Sequence, residues 1–222
     1  MTSDPANKEI VYIGDPMCSW CYGFSPVIQH LYKKHKDEVK MTLIVGGLHV
    51  GDNCITDEKR AEFLRHHWQE INERSGQPFS YKSLEALGWL YDTEPACRSV
   101  VAVRKLQPEK AFAYFATVQS GFYADAKDTN ADDIYVEAAE NHGIDGAEFL
   151  KLFHAEDTKQ ETFQDFSWSR SMGVTGYPTV LVRDGEDWAA LTFGYQPLEA
   201  LEAPLEGWVR ASSASKESAA AN

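Results

Sequence analysis

Several absences limit what this 222-residue sequence can encode. No apolar run approaches the length of about 20 residues that a membrane-spanning helix requires. The first seven residues lack the basic and apolar regions of a signal peptide, so we expect a cytoplasmic protein. Basic residues are outnumbered, with 21 Lys and Arg against 34 Asp and Glu, giving a net charge of −13. That balance argues against nucleic acid or an anionic membrane as a partner.

Cysteine is scarce as well, and half of it forms one close pair. The chain has 4 cysteines, of which Cys18 and Cys21 are separated by two residues. This spacing occurs in redox-active thiols, in zinc knuckles and in structural disulfides. A structural zinc site needs a second pair, whereas Cys54 and Cys97 are isolated and far apart. We therefore predict neither a metal nor a bound cofactor.

A structural disulfide is the other interpretation of the pair. A bridge that closes so short a loop constrains the unfolded chain little and contributes little stability. In a reducing compartment a close cysteine pair is more often catalytic than structural. The redox interpretation is therefore favoured.

The position of the pair supports redox chemistry. Residues 10–13 form a short buried strand in our interpretation, and Pro16 would then open a helix whose first turn holds both thiols. Free amides and the helix dipole favour an anion there, and the thiolate is the reactive form of cysteine. We expect Cys18 to be the exposed, more acidic nucleophile. Cys21, one turn deeper, would resolve a mixed disulfide formed at Cys18.

The two residues inside the motif are candidate substrate contacts. Ser19 could donate a hydrogen bond to a thiolate, and Trp20 offers a flat apolar surface beside it. Neither carries a positive charge, so we expect a weaker oxidant than a motif with an internal histidine.

The order of elements predicts an α/β protein with a long insertion. Strand-like segments occur at residues 10–13, 39–45, 179–182 and 189–193, and a terminal helix follows Pro197. Between them, residues 56–172 have a helical pattern throughout. We expect one α/β domain from residues 8–55 and 173–212, an inserted helical domain at 56–172, and a disordered tail at 213–222.

Four short motifs carry a resemblance to a known family. They are Asp-Pro-Met-Cys-Ser-Trp-Cys at 15–21, Gly-Gly-Leu at 46–48, Tyr-Asp-Thr-Glu-Pro-Ala-Cys at 91–97 and Gly-Tyr-Pro-Thr at 176–179. In this combination the chain resembles the DsbA-like thioredoxin-fold superfamily, and within it the FrnE-type bacterial branch. The resemblance implies a thioredoxin fold with a large all-helical insertion between the second strand and the cis-proline strand. It also implies dithiol-disulfide exchange through Cys18 and Cys21.

The resemblance further implies a cis bond between Tyr177 and Pro178, packed beside the cysteine pair. Such a bond would leave the backbone of Tyr177 free to pair with an extended substrate, which makes both residues candidate substrate contacts. The residue types alone favour an ordinary trans proline at the start of a strand.

Three further residues are assigned from sequence alone. Cys97 precedes a pair of valines at helical spacing, and we expect it to be buried and inert. Cys54 follows a loop sequence and has no partner nominated by spacing. His49 follows the second strand and could approach the active site from there, but a solvated loop histidine is the favoured interpretation.

The functional hypothesis is an enzyme that exchanges thiols and disulfides in proteins or peptides, with glutathione as a further thiol partner. One alternative is a glutathione-dependent transferase or isomerase, similar to kappa-class enzymes and hydroxychromene carboxylate isomerases, although these need only one serine or cysteine at the helix tip. The other alternative is a redox-insensitive binding or holdase module. The sequence leaves the direction of electron flow and the oligomeric state open.

Overall fold

The computed structural model describes residues 8–51, 57–85 and 90–211. Within them a four-stranded sheet has the order β2-β1-β3-β4. The strands are β1 (Lys8–Gly14), β2 (Lys40–Val45), β3 (Thr179–Asp184) and β4 (Asp187–Phe193). β1 and β2 are parallel, and the other two pairings are antiparallel. The four strands predicted from sequence are confirmed.

β1 is the central strand and is buried along its whole length. Successive side chains of a strand point to opposite faces of the sheet. Ile10 and Tyr12 accordingly join the large core on one face, while Val11 and Ile13 pack on the other face with Trp168 and Val174. Helices therefore cover both faces of the strand that leads into the cysteine motif.

Eight α-helices and two short 3-10 helices, Lys82–Leu84 and Pro108–Lys110, complete the described part of the chain. The α-helices are α1 (Ser19–His35), α2 (Glu58–Ser75), α3 (Glu94–Leu106), α4 (Ala111–Tyr123), α5 (Asp133–Asn141), α6 (Gly146–Phe153), α7 (Glu156–Ser171) and α8 (Leu198–Ala211). Six of them, α2 to α7, lie between β2 and β3. The predicted fold class, a thioredoxin fold with a large helical insertion, is confirmed.

α1 begins later than the sequence suggested. We expected Pro16 to open the helix, but Pro16 and Met17 form a turn, and the helix starts at Ser19 with Cys18 as its N-cap. The turn is held by Asp15, whose backbone carbonyl accepts a hydrogen bond from the Cys18 amide at 3.0 Å. The Asp15 carboxylate accepts another from the Met17 amide at 2.8 Å. These bonds satisfy amides that an earlier helix start would leave free.

The inserted helices share one hydrophobic core with the sheet. Trp68 of α2 is buried against the rings of Phe122 and Tyr123 in α4, with centroid distances of 5.9 and 5.1 Å. Arg104 of α3 is paired with Asp165 of α7 and donates a hydrogen bond to the Leu43 carbonyl of β2 at 2.8 Å. The insertion is thus tied to the sheet by apolar packing and by a buried ion pair. The exact domain limits proposed above stay a prediction.

No helix of the described residues is long and apolar enough to cross a membrane. Two sequence-based predictions, the loop position of Cys54 and the disordered tail at 213–222, lie outside the described residues.

Candidate active site

Cys18 lies at the amino end of α1, with its sulfur directed at the backbone of Tyr177. The thiol donates a hydrogen bond to the Tyr177 carbonyl, with a distance of 3.6 Å between Sγ and the oxygen. The expectation of an exposed Cys18 was wrong, because only 5% of the residue is accessible. Burial follows from the long-range packing of Tyr177 and of the inserted helices around the helix tip, which local sequence does not indicate. Reaction at Cys18 therefore requires a substrate that enters a cavity.

Cys21 is fully buried one turn further along α1. Burial raises the pKa of its thiol well above the ordinary value, and the adjacent Cys18 sulfur raises it further. Both cysteines are free thiols in this structure. A buried thiol of this kind is suited to an internal attack on Cys18 and is poorly suited to meeting a substrate directly.

The Tyr177-Pro178 bond is cis, as the family resemblance implied. The ring of Tyr177 lies directly over Gly46, where a Cβ atom would come within 2.3 Å of it. The Tyr177 hydroxyl also donates a hydrogen bond to the Gly46 carbonyl at 2.7 Å. The glycine after β2 is therefore needed for close approach, and it fixes the tyrosine that faces Cys18.

Asp15 organises the loop that precedes Cys18, a role that the sequence analysis missed. It is fully buried, and its second carboxylate oxygen accepts a hydrogen bond from the Leu48 amide at 2.7 Å. Burial raises the pKa of Asp15, and the amide donors oppose that shift. The Asp-Pro dipeptide before the motif was the available sequence signal, since Asp commonly holds such turns through its side chain.

Cys97 contacts this same carboxylate. It is fully buried in α3, as expected, and its thiol donates to Asp15 Oδ2 at 3.4 Å. Burial, with the nearby Asp15 charge, raises the pKa of Cys97 well above the ordinary value. Its thiol is therefore kept protonated and away from solvent.

Trp20 projects from the helix tip toward α2 and toward Tyr195, which precedes α8, and Ser19 beside it is buried. The indole is half-buried, with the Arg74 guanidinium 4.9 Å from the ring centroid. The rings of His67 and Tyr195 approach the indole at 5.7 and 5.6 Å. The sequence motif has no cation of its own, and the fold supplies one from α2.

A cavity of about 860 Å³ opens beside Cys18, between the helix tip, the loop after β2 and α2. Its lining combines thiol, aromatic and cationic side chains, including Cys18, Trp20, His49, Arg60, Phe63 and Tyr177. Of the site residues predicted from sequence, Cys18, Ser19, Trp20 and Tyr177 line this cavity. Pro178 is buried behind them, and Cys21 is buried below.

His49 was expected to be a solvated loop residue, and the structure corrects this. It is half-buried in the cavity wall, and its Nε2 accepts a hydrogen bond from Arg60 Nη2 at 3.0 Å. Burial lowers the pKa of His49, and the Arg60 charge lowers it further. A neutral imidazole therefore holds a guanidinium in the wall. The two residues come from different elements, so sequence spacing gave no signal.

Comparison with known proteins agrees with this geometry. Residues 9–206 match the DSBA-like thioredoxin domain, and the chain belongs to this family. A candidate protein disulfide isomerase from Nitrosomonas europaea is 34% identical, with a TM-score of 0.85, covering 92% of this chain and 98% of that one. The cytosolic disulfide reductase DsbM from Pseudomonas aeruginosa is 21% identical, with a TM-score of 0.77, covering 91% and 99%. The DsbA-like part of the resemblance is confirmed, and the FrnE-type branch stays a prediction.

Similarity to curated proteins is more distant. The ClpXP adapter protein SpxH of Halalkalibacterium halodurans is 24% identical over 188 residues, which are 81% of this chain and 60% of that protein. SpxH of Bacillus subtilis is 23% identical over 178 residues, or 78% of this chain and 57% of that protein. The chain thus spans less than two thirds of the length of these relatives.

Proposed function

We propose that this protein is a thiol-disulfide oxidoreductase that reduces or isomerises disulfides in proteins. The observation that carries the proposal is the position of the Cys18 sulfur, at a helix N-terminus and 3.6 Å from the Tyr177 carbonyl oxygen. Cys21 lies one turn below as a free thiol. This is the arrangement that a nucleophilic thiol and a resolving thiol require.

The proposed reaction has two exchange steps. The Cys18 thiolate attacks one sulfur of a substrate disulfide, so that a Cys18–substrate bond forms and the other substrate sulfur leaves as a thiolate, which takes up a proton. The Cys21 thiolate then attacks the Cys18 sulfur and releases the second substrate thiolate. The substrate gains two electrons and the cysteine pair loses two. An external thiol restores the dithiol by the same steps in reverse.

The rim of the cavity supports a polypeptide substrate. Phe63 exposes 65% of its surface there, and Leu48 exposes 37%. Exposed apolar side chains grouped beside a reactive thiol are typical of a surface that contacts apolar segments of a partner. An extended segment would pass them on its way to the backbone of Tyr177, the mode that strand addition uses.

The proposal extends to the cytoplasm as the site of action and to net reduction or isomerisation there. The support is the likeness in fold to a protein named as a cytosolic disulfide reductase. Membership of the FrnE-type branch belongs to the same proposal and rests on the four sequence motifs.

A second candidate, glutathione as a thiol partner, is favoured by the charges in the cavity. Arg60 and Lys59 of α2 line it together with Cys18. Glutathione combines a thiol with two carboxylates, and a guanidinium is well matched to a carboxylate. The structure of DsbM has also been solved with glutathione. In this variant of the proposal, glutathione forms the mixed disulfide at Cys18 or restores the dithiol.

Insulin reduction with dithiothreitol tests the main proposal. We expect the purified protein to accelerate precipitation of the insulin B chain and Cys18→Ser to abolish the effect. Cys21→Ser should accumulate a mixed disulfide, whereas the control Cys97→Ser should retain activity. Full activity of Cys18→Ser would exclude Cys18 as the nucleophile. Isomerase turnover with glutathione that survives Cys21→Ser would favour the kappa-like alternative, and thiol titration with Cys18 no more reactive than Cys97 would favour a binding module.

A further inference from the structure

Tyr12 lies on β1 beneath the amino end of α1, and its ring is held rigidly. The residue is completely buried. Its ring contacts Phe24 of α1 and Phe112 and Phe115 of α4, at centroid distances of 6.1, 6.2 and 5.7 Å. The phenol is therefore packed between β1 and two helices, and this packing directs its hydroxyl.

That hydroxyl reaches the end of β1, where a Cβ atom on Gly14 would lie 2.6 Å from it. Among the described residues it has no hydrogen-bond partner of good geometry. Leaving a buried hydroxyl unpaired is unfavourable and uncommon. A phenylalanine would fill the same aromatic cage without burying an unpaired hydroxyl. We therefore infer that the hydroxyl has a functional role.

Cys21 lies one turn before Phe24 on α1 and shares a face of the helix with it. Because the Tyr12 ring contacts Phe24 and its hydroxyl is directed toward Gly14 at the end of β1, the hydroxyl lies toward the Cys21 thiol. Interaction with the Tyr12 hydroxyl lowers the pKa of Cys21, against the larger effects of burial and of the Cys18 sulfur. The Asp15 backbone amide acts in the same direction. An ionised Cys21 in this apolar setting depends on such donors, because no solvent reaches it.

We propose that the Tyr12 hydroxyl donates a hydrogen bond to the Cys21 thiolate as it forms and reacts in the resolving step. In that step Cys21 attacks the Cys18 sulfur and the substrate thiolate leaves. In the reverse step Cys21 departs as a thiolate and the same bond receives it. The proton stays on the phenol throughout, so the electron and proton balance of the exchange is unchanged. This inference rests on the proposed function.

Two observations indicate that Tyr12 acts on Cys21 as a hydrogen-bond donor and not as a base that removes its proton. Burial raises the pKa of Tyr12 well above its ordinary value, with Cys21, Cys18 and Asp15 adding to the effect, so the phenol keeps its proton. Asp15 is the nearby carboxylate, and its oxygens are already bound by the Met17 and Leu48 amides. Tyr12 is thus the side chain placed to stabilise negative charge at Cys21.

The test uses stopped-flow reaction of the reduced protein with the chromogenic disulfide of nitrothiobenzoate. Attack by Cys18 releases one nitrothiobenzoate, and resolution by Cys21 releases the second, so the two steps give separate phases. For Tyr12→Phe we expect the first phase to change less than about twofold and the second to slow about tenfold near neutral pH, the effect of one hydrogen bond to a charged group. The difference in the rate of the second phase between Tyr12→Phe and the wild type should decrease as the pH rises, because Cys21 then ionises without the hydrogen bond.

Tyr114→Phe is the matched control. Tyr114 is equally buried in α4, and its hydroxyl donates to the Tyr135 carbonyl at 3.2 Å, so both phases should match the wild type. A second phase in Tyr12→Phe that equals the wild type at every pH overturns the inference. Loss of the first phase in the wild type would instead overturn the proposed function.

If Tyr12→Phe fails to fold, a protein with 3-fluorotyrosine at position 12 provides a second test of the inference. The fluorinated phenol is a stronger donor of nearly the same size. It should speed the second phase near neutral pH and leave the first unchanged. An unchanged second phase in this protein also overturns the inference.

Discussion

The sulfur of Cys18 and the carbonyl oxygen of Tyr177 lie 3.6 Å apart, although the two residues are separated by 159 positions in the chain. Six inserted helices lie between them in sequence, and the sheet brings them together, because β1 and β3 are adjacent. The backbone that contacts the cysteine motif therefore comes from a distant part of the chain. Substitutions at this contact and around it provide direct tests.

The first prediction concerns thiol reactivity. In the native protein Cys18 should be alkylated by iodoacetamide at neutral pH, whereas Cys97 should be protected because it is fully buried and bound to Asp15. Peptide mass spectrometry after a short pulse measures the label at each position. Cys97 should react only after denaturant is added. Equal labelling of Cys18 and Cys97 in the native state would contradict the assignment of roles.

The second prediction concerns the glycine under Tyr177. Gly46→Ala places a Cβ atom within 2.3 Å of the Tyr177 ring, so the ring must move and the contact with Cys18 must change. We expect a loss of about 1–3 kcal/mol in the free energy of unfolding from overpacking. We also expect insulin reduction to fall about tenfold, because a reacting group is misplaced. Urea denaturation and the insulin assay measure the two effects.

Gly207→Ala is the control for that substitution. Gly207 lies in α8, and a Cβ atom there meets nothing within 4 Å. The change should preserve activity and raise stability by up to about 1 kcal/mol, because alanine is the better helix former. Wild-type activity in Gly46→Ala would show that the position of Tyr177 does not matter to the reaction.

Local patterns in the sequence were enough for the order of elements. β-branched apolar runs marked the four strands, and helical spacing marked the insertion, because both signals depend on neighbours within a few residues. The start of α1 was missed, since the Asp15 carboxylate binds the Met17 amide and delays the helix beyond Pro16. A side chain that competes with helical hydrogen bonds is hard to detect from periodicity alone.

The candidate site was predictable where it depends on one motif and unpredictable where distant elements meet. Cys18 and Cys21 follow from their spacing. Three features of the site could not be predicted, because each brings together residues from separate elements. They are the burial of Cys18, the pairing of His49 with Arg60 and the contact of Cys97 with Asp15. The family resemblance, and no local signal, gave the cis bond before Pro178.

The third prediction concerns the ion pair that joins the insertion to the sheet. Arg104 contacts both oxygens of Asp165, at 2.7 and 3.1 Å, and the same carboxylate accepts the Val45 amide of β2 at 3.1 Å. Asp165→Ala leaves a largely buried guanidinium without its main partner. We expect the free energy of unfolding to fall by about 3 kcal/mol. Chemical denaturation followed by circular dichroism measures the change.

Lys105→Ala is the matched control on the same helix. Lys105 pairs with Asp157 and Glu161, whose side chains are 70% and 35% exposed, and such pairs contribute little. We expect a change within about 0.5 kcal/mol. A similar loss of unfolding free energy in both variants would show that the buried Arg104 pair contributes no more stability than the exposed Lys105 pair.

The fourth prediction concerns pH. The pKa of His49 is lowered in the folded protein, so the unfolded chain binds a proton more readily as the pH falls below about 6.5. His49 should therefore contribute stability above that pH and lose it as the pH falls through the lowered pKa. Protonation also places a cation beside Arg60 and ends the hydrogen bond that its Nε2 accepts. The free energy of unfolding should fall between about pH 7.5 and pH 5.

His49→Gln isolates this effect, because glutamine can accept the Arg60 hydrogen bond and does not titrate. The fall in stability on acidification should be smaller in His49→Gln than in the wild type. The pKa values of His67 and His142 are also lowered, but both residues remain in either protein, so their contribution cancels in the difference. Identical profiles for His49→Gln and the wild type would show that the His49–Arg60 contact in the cavity wall does not make stability depend on pH.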